Sequence, residues 1–150
     1  MIIQNAEIHD AGEVAKLVRG LSNYYLEKEN GELPIWLSDS ITDSAFLRRF
    51  NDREYHNYIF KTGGLVVGYI CIKNGFHLYH LFVSAEFHKK GIAKNLWEHA
   101  IKSLSINNCT VRSSLYAVPV YSRLGFVISG HAESKEDIGY QPMVYSNADC

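Results

Sequence analysis

The sequence predicts a mixed α/β fold, an α+β arrangement on a mixed sheet, running β-α-α-β-β-β-α-β-α-β-β over one domain from 1 to 150. Three observations predict it. Two turn signals, Thr62-Gly63-Gly64 and Asn74-Gly75, separate apolar runs of strand length, so three antiparallel strands follow one another through the middle of the chain. Apolar residues recur at spacings of three and four on either side of that block, from Val14 to Leu21 and from Leu96 to Leu104. Between the block and the second stripe lies His77 to Trp97, HLYHLFVSAEFHKKGIAKNLW, an extended run that passes a polar bend, reaches Gly91-Ile92-Ala93 and turns helical.

Taken in order, Ile2 to Ala6 is a short apolar strand. Asp10 caps a helix whose apolar face is Val14, Leu17, Val18, Leu21 and Tyr25. Glu27 to Gly31 is a charged loop, and Leu33 to Leu37, with Pro34 and Trp36, is apolar without a regular period. Asp39 or Ser40 caps a second helix through Arg49, with Ile41, Ala45 and Phe46 inward. Tyr55 to Lys61 is a strand by its aromatic and β-branched content. Leu65 to Lys73 is almost wholly apolar, as a strand buried on both faces must be. In the strand that follows Asn74-Gly75, simple alternation puts His77 and Tyr79 on one face and His80 on the other. The helix after Gly91 ends near Asn107-Asn108, and Cys109 to Ser113 is a short strand. Pro119 opens a small helix that ends at Gly125. Phe126 to Ser129 and Tyr140 to Tyr145 are the last strands, joined by a polar loop from His131 to Gly139.

Composition narrows the function classes. Hydrophobic residues at 47% and charged residues at 21% suit an ordinary globular protein. A net charge of −1 argues against a polyanion surface, so no nucleic-acid partner is expected. Cys71, Cys109 and Cys150 are odd in number and show no CxxC spacing, which fits a reducing compartment and neither a disulfide framework nor a zinc site. The N-terminus lacks the segments of a signal peptide, and no apolar run approaches the ~20 residues of a membrane span. A cytoplasmic protein without a membrane segment or a metal is expected.

A strand that feeds a glycine turn at the start of a helix makes an anion site. Backbone N–H groups there are unpaired, the helix dipole adds partial positive charge, and glycine keeps a Cβ out of the way. Gly91 and Ala93 are expected to serve through their backbones.

Two segments together resemble the GCN5-related N-acetyltransferase (GNAT) superfamily. His88-Lys89-Lys90-Gly91-Ile92-Ala93 is similar to that family's Q/R-x-x-G-x-G/A pyrophosphate signature, with His88 where Gln or Arg is usual. Ser114 to Phe126, SLYAVPVYSRLGF, resembles the family's N-x-x-A-x-x-x-Y-x-x-x-G-F segment: Ala117, Tyr121, Gly125 and Phe126 match, and Ser114 stands where Asn is frequent. The order of elements matches over essentially the whole chain.

The resemblance implies an acetyl-CoA-dependent N-acetyltransferase that moves the acetyl group to a primary amine by direct attack in a ternary complex. It implies pyrophosphate on the backbone of His88, Lys89, Lys90, Gly91, Ile92 and Ala93, with Lys89, Lys90 or Lys94 beside the phosphates. It places pantetheine along the backbone of Leu81, Phe82 and Val83, where a strand N–H also meets the developing oxyanion. Tyr121 would stand beside the thioester sulfur; a phenol near ~10 is protonated at neutral pH and can donate to a thiolate. Cys109, at a strand start, is expected away from that site. His77 falls where several family members carry a base, and a histidine near ~6.5 suits that task. A surface histidine after the turn, or a water relay through Tyr79, stays open. The acceptor regions hold Tyr24, Tyr25, Glu27, Glu29, Glu32, Trp36, Glu133, Glu136 and Asp137, which suit a cationic amine. A homodimer is compatible with the fold. The competing reading is a CoA-binding or protein-interaction module without turnover. Nucleotide-triphosphate hydrolysis is excluded because no Gly-Lys-Ser/Thr triplet follows Gly91.

Overall fold

The computed structural model describes residues 2–21, 34–135 and 138–147. Tyr24, Tyr25, Glu27, Glu29, Glu32, Glu136, Asp137 and Cys150 lie outside the described residues.

Strand β1 (Ile2–Asn5) leads through a 3-10 turn at Ile8–Asp10 into α1 (Ala11–Gly20). Asp10 precedes α1 as expected, but its side chain does not cap that helix. Its carboxylate instead accepts the Glu7 N–H at 2.8 Å and pairs with Lys61 Nζ at 3.3 Å, and the residue is only 2% exposed. A buried carboxylate needs such partners, and a cation beside it serves better than a free N–H.

The expected second helix forms, capped by Thr42 and not by Asp39 or Ser40, and a further short helix precedes it. Pro34, with its fixed φ, sits before α2 (Ile35–Ser40), so the stretch expected to be irregular is helical. The chain then breaks at Ile41-Thr42 and restarts as α3 (Asp43–Phe50), capped by Thr42 Oγ1, which accepts the Ala45 N–H at 3.1 Å. Two arginines hold the break: Arg19 of α1 donates to the Ile41 carbonyl at 3.0 Å, and Arg49 reaches back from α3 to donate to the Ser40 carbonyl. No local periodicity announces those two contacts.

Strands β2 (Tyr55–Thr62), β3 (Leu65–Lys73) and β4 (His77–Val83) form the expected antiparallel block. The turns between them have φ of +57° and +79° at Gly63 and Gly64, and +56° and +78° at Asn74 and Gly75, the left-handed pair that a tight hairpin requires. A second 3-10 turn (Ala85–Phe87) and the Gly91 loop lead to α4 (Ile92–Leu104). Then come β5 (Asn108–Ser114), α5 (Val118–Arg123), β6 (Val127–Ile128), β7 (Glu133–Lys135) and β8 (Ile138–Ser146). Strand β7 lies inside the segment expected to be a loop; its exposed polar residues carry no apolar alternation, and backbone pairing with β8 alone makes it a strand.

The strands form one sheet in the order β1-β2-β3-β4-β5-β8-β6, with β7 added on β8. Every pairing is antiparallel except β4 with β5. Helices α4 and α5 cover one face through Leu96, Trp97, Ala100 and Tyr121. Helices α1 and α3 cover the other through Val14, Val18, Ala45 and Phe46. Strand β3, between the two layers, is buried on both faces as expected. Gly68 in β3 sets how closely α4 approaches: a Cβ there would lie 3.0 Å from both Ile92 Cγ2 and Leu96 Cδ1.

Two irregularities distort the sheet around β4. In the β3–β4 ladder Cys71 faces His80 and Ile72 faces Leu78, which leaves Tyr79 as an extra residue, a β-bulge. The parallel β4–β5 ladder has only two registered pairs, His77 with Thr110 and Leu78 with Val111. Beyond the bulge β4 stays with β3 and parts from β5, while β5 stays paired with β8 as far as Ser114. A bulged strand bends, and here the bend opens the sheet.

Candidate active site

The opening between β4 and β5 continues into a cleft of about 720 Å³. Of the residues singled out from sequence, Leu81, Phe82, Val83, His88, Lys89, Gly91, Ile92, Ala93, Lys94, Ser114 and Tyr121 line it. Lys90 and His77 do not.

At one end is the start of α4. Gly91 is its N-cap with φ +81° and ψ +7°, and no side chain caps the helix. The first N–H groups of any α-helix lack intrahelical acceptors, so those of Ile92, Ala93 and Lys94 are left for another partner. Lys89, with φ +62°, is a second left-handed residue in the same loop. A Cβ on Gly91 would meet nothing within 4 Å, so glycine is required there by the backbone angle and not by crowding. His88 reaches back with Nε2 2.7 Å from the Val83 carbonyl, tying the loop to the end of β4. Its ring therefore braces the loop at the place where the signature usually carries Gln or Arg. Lys94 sits 3.9 Å from Glu98 in an exposed pair, and the Lys90 ammonium lies over the Phe87 ring at 5.5 Å.

In the cleft wall, α5 presents Tyr121, 6% exposed, its ring edge-on to Phe126 at 5.4 Å between centroids. Burial first, and then the neighbouring Cys109, push the phenol above its ordinary value of 10, so it stays protonated through the neutral range. Cys109 was expected away from the site, on the ground that it starts a strand. Its thiol instead lies in the same buried cluster as Tyr121 and acts on that phenol. Burial pushes that thiol up to about 12, so it is a poor nucleophile. Ser114, at the end of β5, accepts the Ala117 N–H at 3.2 Å and so braces the turn into α5.

Before the opening, where β4 and β5 still pair, His77 Nδ1 lies 2.7 Å from Thr110 Oγ1. Burial, then Arg112 and Lys73, hold the imidazole below its ordinary 6.5, so it is neutral at physiological pH. It stands before the bulge, four residues and roughly 13 Å of strand from Leu81. Tyr79 packs on the α1/α3 face, and so, against expectation, does His80, whose ring meets Phe46, Tyr69 and Phe82. The bulge is the reason: one extra residue reverses the alternation that simple counting assumes.

His80 Nε2 is sealed from solvent and has no hydrogen-bond partner. Burial, then Arg49, hold its pKa well below 6.5. The unfolded chain therefore takes up this proton first as the pH falls. Stability is expected to be level above ~6.5 and to drop as the pH goes below it, with His77 adding in the same direction. His80→Phe should flatten that slope in thermal melts between neutral and mildly acid pH. Parallel profiles for the two proteins would rule the account out.

Several lining residues were not singled out from sequence. Phe87, Tyr116, Val120 and Arg123 flank motif positions, so the segment that identified Tyr121 already contained most of them. Leu21 enters the cleft from α1, and only the packing of α1 on the sheet shows it. Among the described residues no group of three or more His, Cys, Asp or Glu could hold a metal, and no helix is long and apolar enough to cross a membrane.

The family model for the acetyltransferase (GNAT) domain matches residues 25–147. No curated protein matches the sequence. Among solved structures, PaiA N-acetyltransferase from Thermoplasma acidophilum, in complex with coenzyme A, superposes with a TM-score of 0.77 at 16% identity, covering 97% of this chain and 99% of its own. A GCN5-related N-acetyltransferase from Rhodopseudomonas palustris gives 0.76 at 18% identity, covering 97% and 94%. An aminoglycoside 6'-N-acetyltransferase complexed with coenzyme A gives 0.70 at 13%, covering 97% of each. At these identities the likeness is one of fold.

Proposed function

The chain belongs to the GNAT acetyltransferase family, and from that premise we propose that it is an enzyme transferring the acetyl group of acetyl-CoA to a primary amine by direct attack in a ternary complex. The observation that carries this reading is the parting of β4 from β5 after two registered pairs, over a cleft that ends at the uncapped N-terminus of α4. A slot with strand backbone along one side and helix N–H groups at its end fits an extended amide-bearing arm with a pyrophosphate. The coenzyme A seen with two of the fold's relatives supports the same assignment.

Each residue then has a task. Backbone N–H groups from His88 to Ala93 and the dipole of α4 bind the pyrophosphate, with Lys89 and Lys94 adding charge at the rim. Lys90 turns to Phe87 and contributes to the field only. The backbone of Leu81, Phe82 and Val83, where β4 has parted from β5, holds the pantetheine amides. An N–H of that strand steadies the carbonyl oxygen as the amine attacks. His77 takes the proton that the amine loses, through water, because it lies back along β4 from the slot. Tyr121 donates a proton to the sulfur as the carbon–sulfur bond breaks. Neither buried cysteine acts as a relay, since each thiol is pushed up to about 12.

The test is release of free thiol from acetyl-CoA in the presence of a panel of primary amines. Amine-dependent release is the expected result. Tight coenzyme A binding with no release for any amine would favour the non-catalytic module instead.

A further inference from the structure

We infer that the acceptor is an amine that carries a carboxylate, bound by Arg112 on the open face of the sheet beside His77. The inference rests on the proposed acetyl transfer and names the class of its acceptor.

Cys109 and Val111 face the α4 side of the sheet, so alternation directs Thr110 and Arg112 to the other side, where both are exposed. His77 meets Thr110 on that side. Arg112 is the next residue on the same face of β5, at the point where β4 turns away. Its guanidinium lies 5.4 Å from the Tyr140 ring. Glu133, the carboxylate beside Tyr140, accepts the Tyr140 hydroxyl at 2.8 Å. Among the described residues no ion pair engages Arg112. A planar guanidinium braced on an aromatic ring, with its donors free, suits bidentate pairing with a carboxylate.

Further cations lie along the neighbouring strands. Lys73 pairs with His77 across the β3–β4 ladder, its ammonium 5.6 Å from the Tyr55 ring. Arg49 lies 5.5 Å from the Tyr79 ring. The charged groups acting on His77 are Arg112 and Lys73, both cations. A positive field disfavours an ammonium and favours the neutral amine, which is the form that attacks. It also disfavours a purely cationic acceptor, and a carboxylate on the acceptor offsets that cost.

The expectation of a cationic amine drew mainly on residues outside the described ones. Of the two that are described, Glu133 is engaged by Tyr140, and the Trp36 ring already faces a cation, Lys135 Nζ, at 4.4 Å.

The experiment uses the full chain saturated with coenzyme A and a set of α-amino acids, each with its methyl ester and its decarboxylated amine. Binding is read by saturation-transfer NMR titration, and transfer by thiol release in separate reactions with acetyl-CoA in place of coenzyme A. Each amino acid should bind about tenfold or more tightly than its ester and decarboxylated partner. Arg112→Gln should erase the difference, and Arg112→Lys should keep part of it. Because Arg112 is exposed, both variants should melt as the wild type does. Equal or tighter binding of the uncharged-tail amines, or an unchanged preference in Arg112→Gln, overturns the inference. Selective binding without any thiol release would sink the acetyl transfer and leave the recognition standing. Release that is fastest with polyamines would do the reverse.

Discussion

Tyr121→Phe is expected to lower kcat for amine-dependent thiol release by about 10²–10³-fold, in the range that a positioned proton donor contributes, while leaving the KM for acetyl-CoA within about twofold. The substitution removes one hydroxyl and keeps the ring that packs edge-on to Phe126. Thermal stability should therefore change by no more than about 1 kcal/mol, the net worth of one hydrogen-bonding group. Because burial and Cys109 hold the phenol above 10, the wild type should show no loss of activity from Tyr121 ionisation up to that pH. A kcat within twofold of wild type would remove Tyr121 from the chemistry and pass the leaving thiolate's proton to solvent.

Gly91→Val is expected to weaken coenzyme A binding by about 5–30-fold, corresponding to the ~1–2 kcal/mol that a left-handed residue with a Cβ costs. At φ +81° a β-branched side chain is strained although nothing crowds it. Rotating the peptide before α4 relieves the strain and turns an N–H away from the cleft. Ile92, 5% exposed, anchors the following turn against the sheet, so the damage should stay in the loop. Gly91→Ala should fall between wild type and valine. Calorimetric titration with coenzyme A measures all three, and an unchanged dissociation constant for the valine variant would mean that the α4 terminus does not hold the phosphates.

How much of this was legible in the chain depends on whether the signal was local. The hairpins at Gly63-Gly64 and Asn74-Gly75 were, because turn residues with left-handed angles announce themselves. So were the loop at Gly91 and the helix after it. The break between α2 and α3 was not, since carbonyls at Ser40 and Ile41 are taken by side chains distant in sequence, Arg49 of α3 and Arg19 of α1. Strand β7 was missed because its residues are polar and exposed, and pairing with β8 is its only warrant.

At the site the division falls in the same place. The amino-acid order alone determined the family, and it was enough to propose the loop at Gly91 for pyrophosphate and Tyr121 for the sulfur, because these rest on residue types at fixed spacings within two short segments. Only the tertiary structure decided which face of β4 each side chain takes. Tyr79 is an extra residue in a ladder with β3, and that bulge sends His80 into the α1/α3 layer and opens β4 from β5. Only the tertiary structure, too, brought Arg112 of β5 to act on His77 together with Lys73 of the neighbouring strand. A bulge and a field are properties of neighbours across a sheet. No stretch of sequence contains them.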